Sequence, residues 1–594
     1  MIRNVLLVCA GLIVTSLSLF AFTSKEPRAD FTYVNPSGIH TLDPARMSWT
    51  QDFRVALNIW EGLTTWDPKT LSPIGGAAEF PPDISADRLV YTFTIREDAR
   101  WSNGDSVTAH DFIRGWRRGI EPGTATDYAF LFTDHILGAA EYVAWRNEAV
   151  TRLTESRGDD IALRDAIVKS HATELNARFD KVGIKALSDR TLEVRLRRPC
   201  SYFLDLTSFP TFLPCHSSIE ELRSRYDELP ITAEGLVVYD PQWTKPDYHA
   251  NQYPGLITNG PYRLADWTFK RRARLQVNPY HREADRIGSR TIDMLEYDNV
   301  SASIMAYEAG DVDFLTDMSV PYDHEIARLS RSGQRPDFHS SILSATYFLN
   351  FNCAGETVDG RKNPFTDRRV RKAFTLAVDR ERIVANVLGR GDVVAYSFVP
   401  AGAMPGYTPP TGLRRDVEEA RRLLAEAGYA DGAGMESVEL LYVPNDERIC
   451  QAMARMWEEA LGVHVELRSQ ESKTFAEEKA RQRFMIARGN WYADYNDPTT
   501  FLDCLTTGNG NNDSGYSNPR YDELLVAASM ETDAEARAKL LAEAERIIVE
   551  EDCPILPILH YAQSLAIKPY VKGLQANARL WFPFRHVTVG RRDQ

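Results

Sequence analysis

The chain has 594 residues, of which 43% are hydrophobic, 10% aromatic and 26% charged, so it is long enough for several globular domains and too apolar to be disordered. Its 69 basic and 83 acidic side chains give a formal net charge of −14, which argues against a broad basic surface for nucleic acids. A single apolar run, 5–22, approaches the length of a membrane span, which excludes a multi-spanning channel or transporter.

The apolar run 5–22 follows a short basic start and precedes a polar stretch, which is the pattern of an export signal. We expect that the chain leaves the cytoplasm, with residues 1–30 forming either a cleaved signal peptide or an N-terminal anchor in the cytoplasmic membrane. Both alternatives stay open because Ala21-Phe22-Thr23 matches the small-x-small cleavage pattern only loosely. Cys9 does not mark a lipoprotein, since no small residue precedes it and the apolar stretch before it is too short.

In the first half of the chain, alternation of apolar and polar side chains predicts half-buried strands. These strands lie at 89–96, at 192–196 and around Leu275 and Val277. Thr108 with Asp111 three residues later predicts the start of a helix. The stretch 139–186 is charged and helical in pattern, so we expect a solvated excursion on the surface.

The second half has the pattern of a βαβ unit, which implies a parallel pair of strands. Its parts are a strand at 438–442, a helix at 449–461 and a strand at 463–467, followed by a helix at 475–482 and a strand at 484–487. Helices at 416–427 and 532–551, which start at Asp416 and Thr532, are predicted to frame this unit. Ligands of such sheets bind beyond the carboxyl ends of the strands, so the loops 444–448 and 488–497 are candidate binding loops.

Enzyme signatures are absent from the sequence. The chain has no P-loop, no GxGxxG, no GxSxG and no HExxH, so we expect no catalytic residues. The six cysteines after the apolar run form no CxxC or zinc spacing, and we expect mostly buried free thiols with at most one bridge. Asp494 and Asp497 bring two carboxylates together, as in a glycosidase or a calcium loop, but the EF-hand glycine and glutamate are missing. We therefore expect neither a metal nor a cofactor.

The loop 488–497 is better interpreted as a ligand clamp. Arg488, Trp491 and Asp494 place a guanidinium group, an aromatic face and a carboxylate within seven residues. A zwitterionic ligand would offer one partner to each charge. The alternative is a structural ion pair between Arg488 and Asp494, with Trp491 in the core.

Eight short phrases support a specific family. They are Leu42-Asp43-Pro44, Trp60-Glu61-Gly62-Leu63, 101–112, Asn259-Gly260-Pro261-Tyr262, 309–313, 364–371, 493–501 and 516–522. With these phrases in this order, the chain resembles the extracytoplasmic solute-binding proteins of bacterial peptide-importing ABC transporters, the oligopeptide-binding class of solute-binding family 5. The resemblance covers essentially everything after the export segment.

The resemblance implies an α/β, two-lobed periplasmic-binding-protein-like fold of type II, with an extra subdomain in lobe 1. By this analogy the core of lobe 1 combines 31–52, 206–344 and 562–594, the extra subdomain is 53–205, and lobe 2 is 345–561. The lobes close on an extended peptide, which is held by main-chain hydrogen bonds as in strand addition.

The resemblance also implies binding residues. Asp494 falls where the family's carboxylate receives the peptide's α-ammonium group, and Trp491 and Arg488 fall on a neighbouring aromatic residue and arginine of the pocket. Tyr128 and Tyr561 match binding-site tyrosines. Arg448 replaces a histidine of the family, and we expect it and Arg488 to supply positive charge for the peptide carboxylate or an acidic side chain.

Several positions depart from the family pattern. Where the family has a lysine, this chain has Leu388. Where the family has an acidic residue near the amino-terminal strand, this chain has Gly38. Two cysteines that form a disulfide in some relatives correspond to Ala345 and Tyr492. Ser472 stands where the family has a tryptophan, and Asn350 stands where it has a glutamate.

We therefore expect a monomeric, non-enzymatic protein, periplasmic or extracytoplasmic, that binds oligopeptides and delivers them to ABC permease subunits in the membrane. Nucleic acid is not expected as a partner. One alternative is another small solute, such as a nickel chelate, an opine or an oligosaccharide. A second is a membrane-anchored sensory domain of the same fold, and a third is a hydrolase that uses Asp494 and Asp497.

Overall fold

A computed structural model describes residues 27–591, except for 37, 125, 156–172, 220–255, 298, 317, 319–324, 326, 327, 331, 356, 359, 390, 403–405 and 575. Within these residues, no helix has both the length and the apolar character needed to cross a membrane. The predicted export segment 5–22 lies outside the described residues.

The chain alternates between strands and helices, as expected for an α/β protein. The strands are β1 Phe31–Val34, β2 Thr64–Trp66, β3 Pro73–Gly75, β4 Asp83–Ile84, β5 Val90–Thr94, β6 Ile184–Ser188, β7 Thr191–Arg195, β8 Tyr262–Thr268, β9 Arg272–Val277, β10 Thr291–Leu295, β11 Phe314–Leu315, β12 Phe338–Phe351, β13 Thr357–Val358, β14 Arg361–Lys362, β15 Val393–Val394, β16 Val438–Tyr442, β17 Val465–Ser469, β18 Ile486–Tyr492, β19 Ile555–Ile567, β20 Val571–Lys572 and β21 Thr588–Val589. The α-helices are Thr50–Ile59, Ala109–Gly119, Phe130–Thr133, Ala139–Glu155, Phe203–Leu206, Val300–Glu308, Arg368–Ala377, Arg380–Arg382, Val417–Glu426, Glu447–Leu461, Ser472–Ala480, Thr499–Leu502, Pro519–Met530 and Ala534–Arg546, with π-helical turns at Ile383–Leu388 and Ile547–Glu551.

An 11-stranded mixed sheet runs through the molecule in the order β17-β16-β18-β12-β19-β11-β1-β10-β9-β8, with β15 also paired to β19. The long strands β12 and β19 are antiparallel neighbours at its centre. Their register shifts between Ile342 and Thr346, where β12 carries extra residues that the partner strand does not match. Such an irregularity bends and twists a strand locally.

The hydrophobic core changes along β12 at this irregularity. Leu343 and Ala345 belong to a core that also contains Phe31, Phe582 and much of the first third of the chain. From Tyr347 onwards, β12 instead packs into two cores built from residues 347–559. The sheet is therefore shared by two halves that have separate interiors.

The strand predictions at 89–96 and 192–196 are confirmed, because β5 and β7 pair in a separate four-stranded sheet, β4-β5-β7-β6. β9 confirms the prediction around Leu275 and Val277. The helix that follows Thr108 is also confirmed, and the Thr108 backbone N–H donates to Asp111 Oδ2 at 2.8 Å.

The predicted βαβ unit is present. β16 and β17 are parallel neighbours, with Val438 opposite Val465, and the helix Glu447–Leu461 connects them. The helix predicted to start at Asp416 is capped by that residue, whose Oδ1 accepts from the backbone N–H of Glu419 at 3.0 Å.

Three predictions need correction. The helix Ala139–Glu155 is not simply a solvated excursion, because Tyr142 is buried and Arg146 forms a buried ion pair with Glu121 at 2.5 Å. β18 extends to Tyr492, because residues 486–492 all pair with β12. The helix predicted to start at Thr532 is capped by Asp533, whose carboxylate accepts from Ala536 N.

The six cysteines after the export segment are free thiols, and all except half-buried Cys353 are buried. Burial raises the pKa of the Cys215 thiol to about 11, so this group stays protonated and unreactive near neutral pH. The position Cys9 lies outside the described residues.

Candidate functional site

A cavity of about 800 Å³ lies between two parts of the chain that are distant in sequence. One wall comes from the segments 130–135 and 198–202, next to the four-stranded sheet. The other wall comes from the end of β18 and from residues 494–537. This volume is within the usual range for small-ligand sites.

Asp494 lines this cavity just after β18. Its Oδ1 accepts at 3.4 Å from the phenol of Tyr128, which lies two residues before the wall segment 130–135. Its backbone N–H donates to Thr500 Oγ1 at 3.0 Å, which fixes the loop. Burial raises the pKa of Asp494 to about 6, although the Tyr128 hydrogen bond and the Arg579 charge oppose this shift. The carboxylate is therefore ionised but poorly solvated at neutral pH.

Tyr128 is held by aromatic packing. Its ring makes an edge contact with Phe209, with centroids 4.8 Å apart. Burial, followed by the charge of Asp494, raises the pKa of the Tyr128 phenol, so the group remains a hydrogen-bond donor at every physiological pH. Tyr128 and Asp494, two of the predicted site residues, are thus brought together from distant parts of the sequence.

Trp491 lies on β18 and lines the same cavity. Its half-buried ring packs against the core that contains Phe501 and Leu502. The indole N–H has no hydrogen-bond partner among the described residues. Trp491 therefore contributes both to the core, as in the structural interpretation of this loop, and to the cavity wall, as in the ligand-clamp interpretation.

Arg488 faces a different environment. Its guanidinium group binds Asp446 Oδ2 at 2.8 Å and Asn490 Oδ1 at 2.8 Å. It also lies 5.6 Å from the centroid of the Tyr347 ring. The alternative interpretation, an ion pair between Arg488 and Asp494, is not what the structure has, because Arg488 pairs with Asp446 in the other predicted loop.

Tyr561 and Arg448 lie on this second side of the site. Tyr561 on β19 stacks on Tyr492, with centroids 5.4 Å apart, and makes an edge contact with Tyr347. Arg448 is exposed in the first turn of the helix Glu447–Leu461, two residues beyond Asp446. The six predicted site residues thus form two groups, one at the cavity and one around Arg488.

Contacts also join the two walls directly. The backbone N–H of Asn496 donates to Asp205 Oδ2 at 2.9 Å. Asp205 in turn forms a buried ion pair with Arg579 at 2.7 Å. The rings of Tyr202 and Tyr495 stack across the same boundary.

Asp497 is occupied by a structural ion pair. Its two carboxylate oxygens accept from the Arg537 guanidinium group at 2.8 and 2.9 Å. This arrangement favours neither a pair of catalytic carboxylates nor a calcium loop at Asp494 and Asp497. In the described part of the chain, no cluster of three His, Cys, Asp or Glu side chains could hold a metal.

Two departures from the family pattern have a structural explanation. Gly38 has a φ of +66°, and a Cβ atom there would lie 2.0 Å from Glu296 Oε2, so a carboxylate from another strand end fills this space. Ala345 and Tyr492 are directly opposite each other on β12 and β18.

Sequence reasoning missed three side chains in the cavity wall: Asp503, His135 and Tyr202. Burial raises the pKa of Asp503 to about 7 and lowers that of His135 to about 3. No local motif marks these residues, because they become neighbours only when the two walls meet.

The chain is similar to known proteins over nearly its whole length. The sequence profile of bacterial extracellular solute-binding proteins, family 5 Middle, matches residues 72–513. The periplasmic oligopeptide-binding protein OppA of Salmonella typhimurium is 30% identical over 584 residues, which cover 96% of this chain and 95% of that protein.

Solved structures agree with this match. The murein tripeptide-binding protein MppA in its unliganded open form has a TM-score of 0.72 at 27% identity, and the match covers 96% of this chain and 99% of that one. Haemophilus influenzae OppA in complex with the peptide RPPGFSPFR has a TM-score of 0.66 at 27% identity, with 95% and 100% covered. The predicted α/β, two-lobed fold is confirmed by these matches.

Proposed function

Since the chain belongs to family 5 of the bacterial extracellular solute-binding proteins, we propose that it binds oligopeptides outside the cytoplasmic membrane and delivers them to an ABC-type peptide importer. The observation that carries this proposal is the Asp494 carboxylate in a cavity between two walls, with Tyr128 beside the opposite wall as its neighbour. A poorly solvated carboxylate gains most from a ligand that brings a positive charge.

In this proposal the α-ammonium group of the peptide binds Asp494 and its main chain extends along the end of β18. Strand addition at this place leaves peptide side chains to alternate between the walls. The carboxylate end is directed towards the second group, where Arg488 is supported by Asp446 and Arg448 is exposed. Arg488 lies on β18 and Arg448 lies in the helix Glu447–Leu461, so both arginines belong to the second half of the chain.

The two halves act as lobes that close on the peptide. Residues 345–561 form lobe 2, the segments 31–52, 206–344 and 562–594 form the core of lobe 1, and 53–205 form its extra subdomain. The change of core along β12 near Ala345 supports a hinge there, with Tyr561 on the neighbouring strand. Hinges of this kind consist of a few residues that absorb the change in backbone angles.

The protein acts as a monomer and without a cofactor, and it is a binding protein rather than an enzyme. Asp497 is neutralised by Arg537, which argues against its use as a general base. A neutral sugar would desolvate the Asp494 carboxylate without bringing a positive charge to it. A peptide with a free amino terminus fits this carboxylate better.

The decisive experiment is mass spectrometry of the ligands released from the purified, denatured protein. Oligopeptides are expected. Saturation with such a peptide should lower the radius of gyration and raise the melting temperature, because a ligand of the folded state stabilises it. Recovery of a non-peptide solute, or unchanged scattering and melting with a broad peptide library, would contradict peptide binding.

A further inference from the structure

The carboxylate of Asp503 is a candidate binding group for a peptide side chain. The contacts proposed for the peptide main chain and its α-ammonium group do not involve Asp503. It follows the short helix Thr499–Leu502 and lines the cavity that also contains Asp494. Among the described residues, no side chain or backbone group forms a hydrogen bond or ion pair with this carboxylate. Burial raises the pKa of Asp503 to about 7, because its effect is larger than that of the Arg198 charge, which lowers the pKa.

Asp503 and Asp494 are close to each other in space. Cys504 lines the same cavity, and the pKa of its thiol is raised first by burial and then by the charges of Asp494 and Asp503. The opposite wall contributes a third carboxylate, Asp134, which is exposed to solvent. A ligand held at Asp494 would therefore have two further carboxylates near its amino-terminal end.

The positive groups of the cavity do not neutralise these carboxylates. Arg537 is already paired with Asp497 through two hydrogen bonds of 2.8 and 2.9 Å. Arg198 is exposed, so its charge is largely screened by water.

A buried ring nitrogen next to Asp134 also lacks a hydrogen-bond partner among the described residues. His135 is only 5% exposed, lines the cavity, and its Nδ1 atom has no hydrogen-bond partner in the described part of the chain. Because burial lowers its pKa to about 3, His135 is neutral and can accept or donate one hydrogen bond without adding positive charge. The cavity therefore presents carboxylates without an ion-pair partner among the residues that the structure describes, and a histidine that adds no positive charge.

We propose that this cavity selects peptides with a Lys or Arg side chain at one of their first two residues, and that Asp503 and Asp134 are its carboxylate partners. This inference rests on the proposed peptide-binding function and names the preferred class of peptide. In the cavity, ion pairs with these carboxylates offset the hydration that a cationic side chain loses when it leaves water. A neutral side chain leaves Asp503 desolvated and unpaired, and an acidic side chain adds repulsion between like charges.

Calorimetry with matched tripeptides tests the inference. One series is Lys-Ala-Ala, norleucine-Ala-Ala and Glu-Ala-Ala, and a second series carries the same side chains at the second position. Norleucine has the carbon chain of lysine without the ammonium group. In one of the two series, the wild-type protein should bind the lysine peptide at least about tenfold more tightly than the norleucine peptide.

Asp503→Asn should reduce this preference to about twofold by weakening the binding of the lysine peptide, and it should not weaken the binding of the norleucine peptide. Asp134→Asn should reduce it in part, because Asp134 is exposed and its charge is better screened. Asp189→Asn removes a charge from a carboxylate that is 83% exposed on the outer surface and serves as the control. Melting curves establish that each variant is folded.

The outcomes separate this inference from the proposed function. Equal affinities of the lysine and norleucine peptides for the wild type, or an equal loss for both in Asp503→Asn, would overturn the selection of cationic side chains while peptide binding stands. If none of the peptides binds and no peptide is recovered from the purified protein, the peptide-binding function itself fails.

Discussion

The ring of Tyr202 stacks face to face on the ring of Tyr495, with centroids 4.0 Å apart and planes 7° apart. Tyr202 belongs to one wall of the cavity and Tyr495 to the other. Burial is the main reason why the pKa of each phenol lies well above its usual value, so neither ring carries charge. This contact joins the two walls and favours the arrangement in which they are close together.

We expect Tyr202→Leu to weaken peptide binding by about two- to tenfold, because an aromatic pair contributes about 0.5–1.5 kcal/mol beyond its buried area. The loss should come from a closed state that is less stable. Calorimetry measures the affinity, and scattering should show a larger radius of gyration at equal peptide saturation. Tyr495→Leu should give a similar loss, and the double variant should lose little more than either single variant. Tyr280→Leu, at an exposed tyrosine, is the control.

Asp494→Asn should weaken peptide binding by about 30-fold or more, since breaking a buried charge pair costs roughly 2–5 kcal/mol. N-acetylation of the peptide should cause a similar loss with the wild-type protein. Because both changes remove the same pair, the two losses should not add. Calorimetry on the four combinations checks this, and additive losses would mean that Asp494 does not bind the α-ammonium group.

Arg448→Ala should weaken the binding of peptides with a free carboxylate by about two- to fivefold, the range for an exposed ion pair. C-terminally amidated peptides should bind the variant and the wild type equally. Arg488→Lys should cause a larger loss for the free acids, because lysine cannot hold Asp446 and a carboxylate with the same planar fork. Equal binding of amides and acids to the wild type would argue against both arginines as carboxylate partners.

The double variant Ala345→Cys/Tyr492→Cys should form a disulfide without backbone movement. The two residues are cross-strand partners, and Ala493 N donates to Ser344 O beside them at 2.8 Å, so they form a non-hydrogen-bonded pair. The Cα separation of such a pair, about 4.5 Å, is within the range of disulfides. Thiol titration with and without reductant measures the bond, and each single variant should show one additional free thiol.

Glu545 should make stability depend on pH. Its carboxyl group is buried and accepts from the backbone N–H groups of Phe398 and Val399 at 2.6 and 2.8 Å, and burial raises its pKa to about 7. Because this pKa is higher in the folded state, the contribution of Glu545 to stability is full below the unfolded pKa of about 4.3 and is lost as the pH rises through 7.

Between pH 5 and pH 8, the wild type should therefore lose about 2–3 kcal/mol of unfolding free energy relative to Glu545→Gln. Chemical denaturation at the two pH values measures this difference. Glu543→Gln changes an exposed carboxylate on the same helix and should follow the wild type. A wild type and Glu545→Gln with parallel pH profiles would contradict a raised pKa at Glu545.

The sequence predicted the scaffold of the second half well, because β16, the helix Glu447–Leu461 and β17 have regular apolar spacing that depends on local structure alone. It did not predict that β18 continues to Tyr492. That extension depends on pairing with β12, which is distant in the sequence. Local patterns carry no information about such a partner.

The candidate site was predictable to the extent that its residues lie in one segment or match a family phrase. Trp491 and Asp494 follow from the segment 488–497 at the end of β18, and Tyr128 follows from the resemblance. Asp503 and Tyr202 could not be predicted, because their importance comes from burial against an opposite wall. The ion pair of Arg488 with Asp446 could not be predicted for the same reason, since Asp446 is a neighbour only in the folded protein.

The arrangement of the cores has a consequence for the order in which a newly made chain can fold. The cores of residues 347–559 come from one continuous segment and can be completed as soon as that segment is available. The other core places Phe31 against Phe584, with ring centroids 5.3 Å apart, and also contains Trp581 and Phe582. The part of the protein that is synthesised first must therefore wait for nearly the last residues before its interior can close.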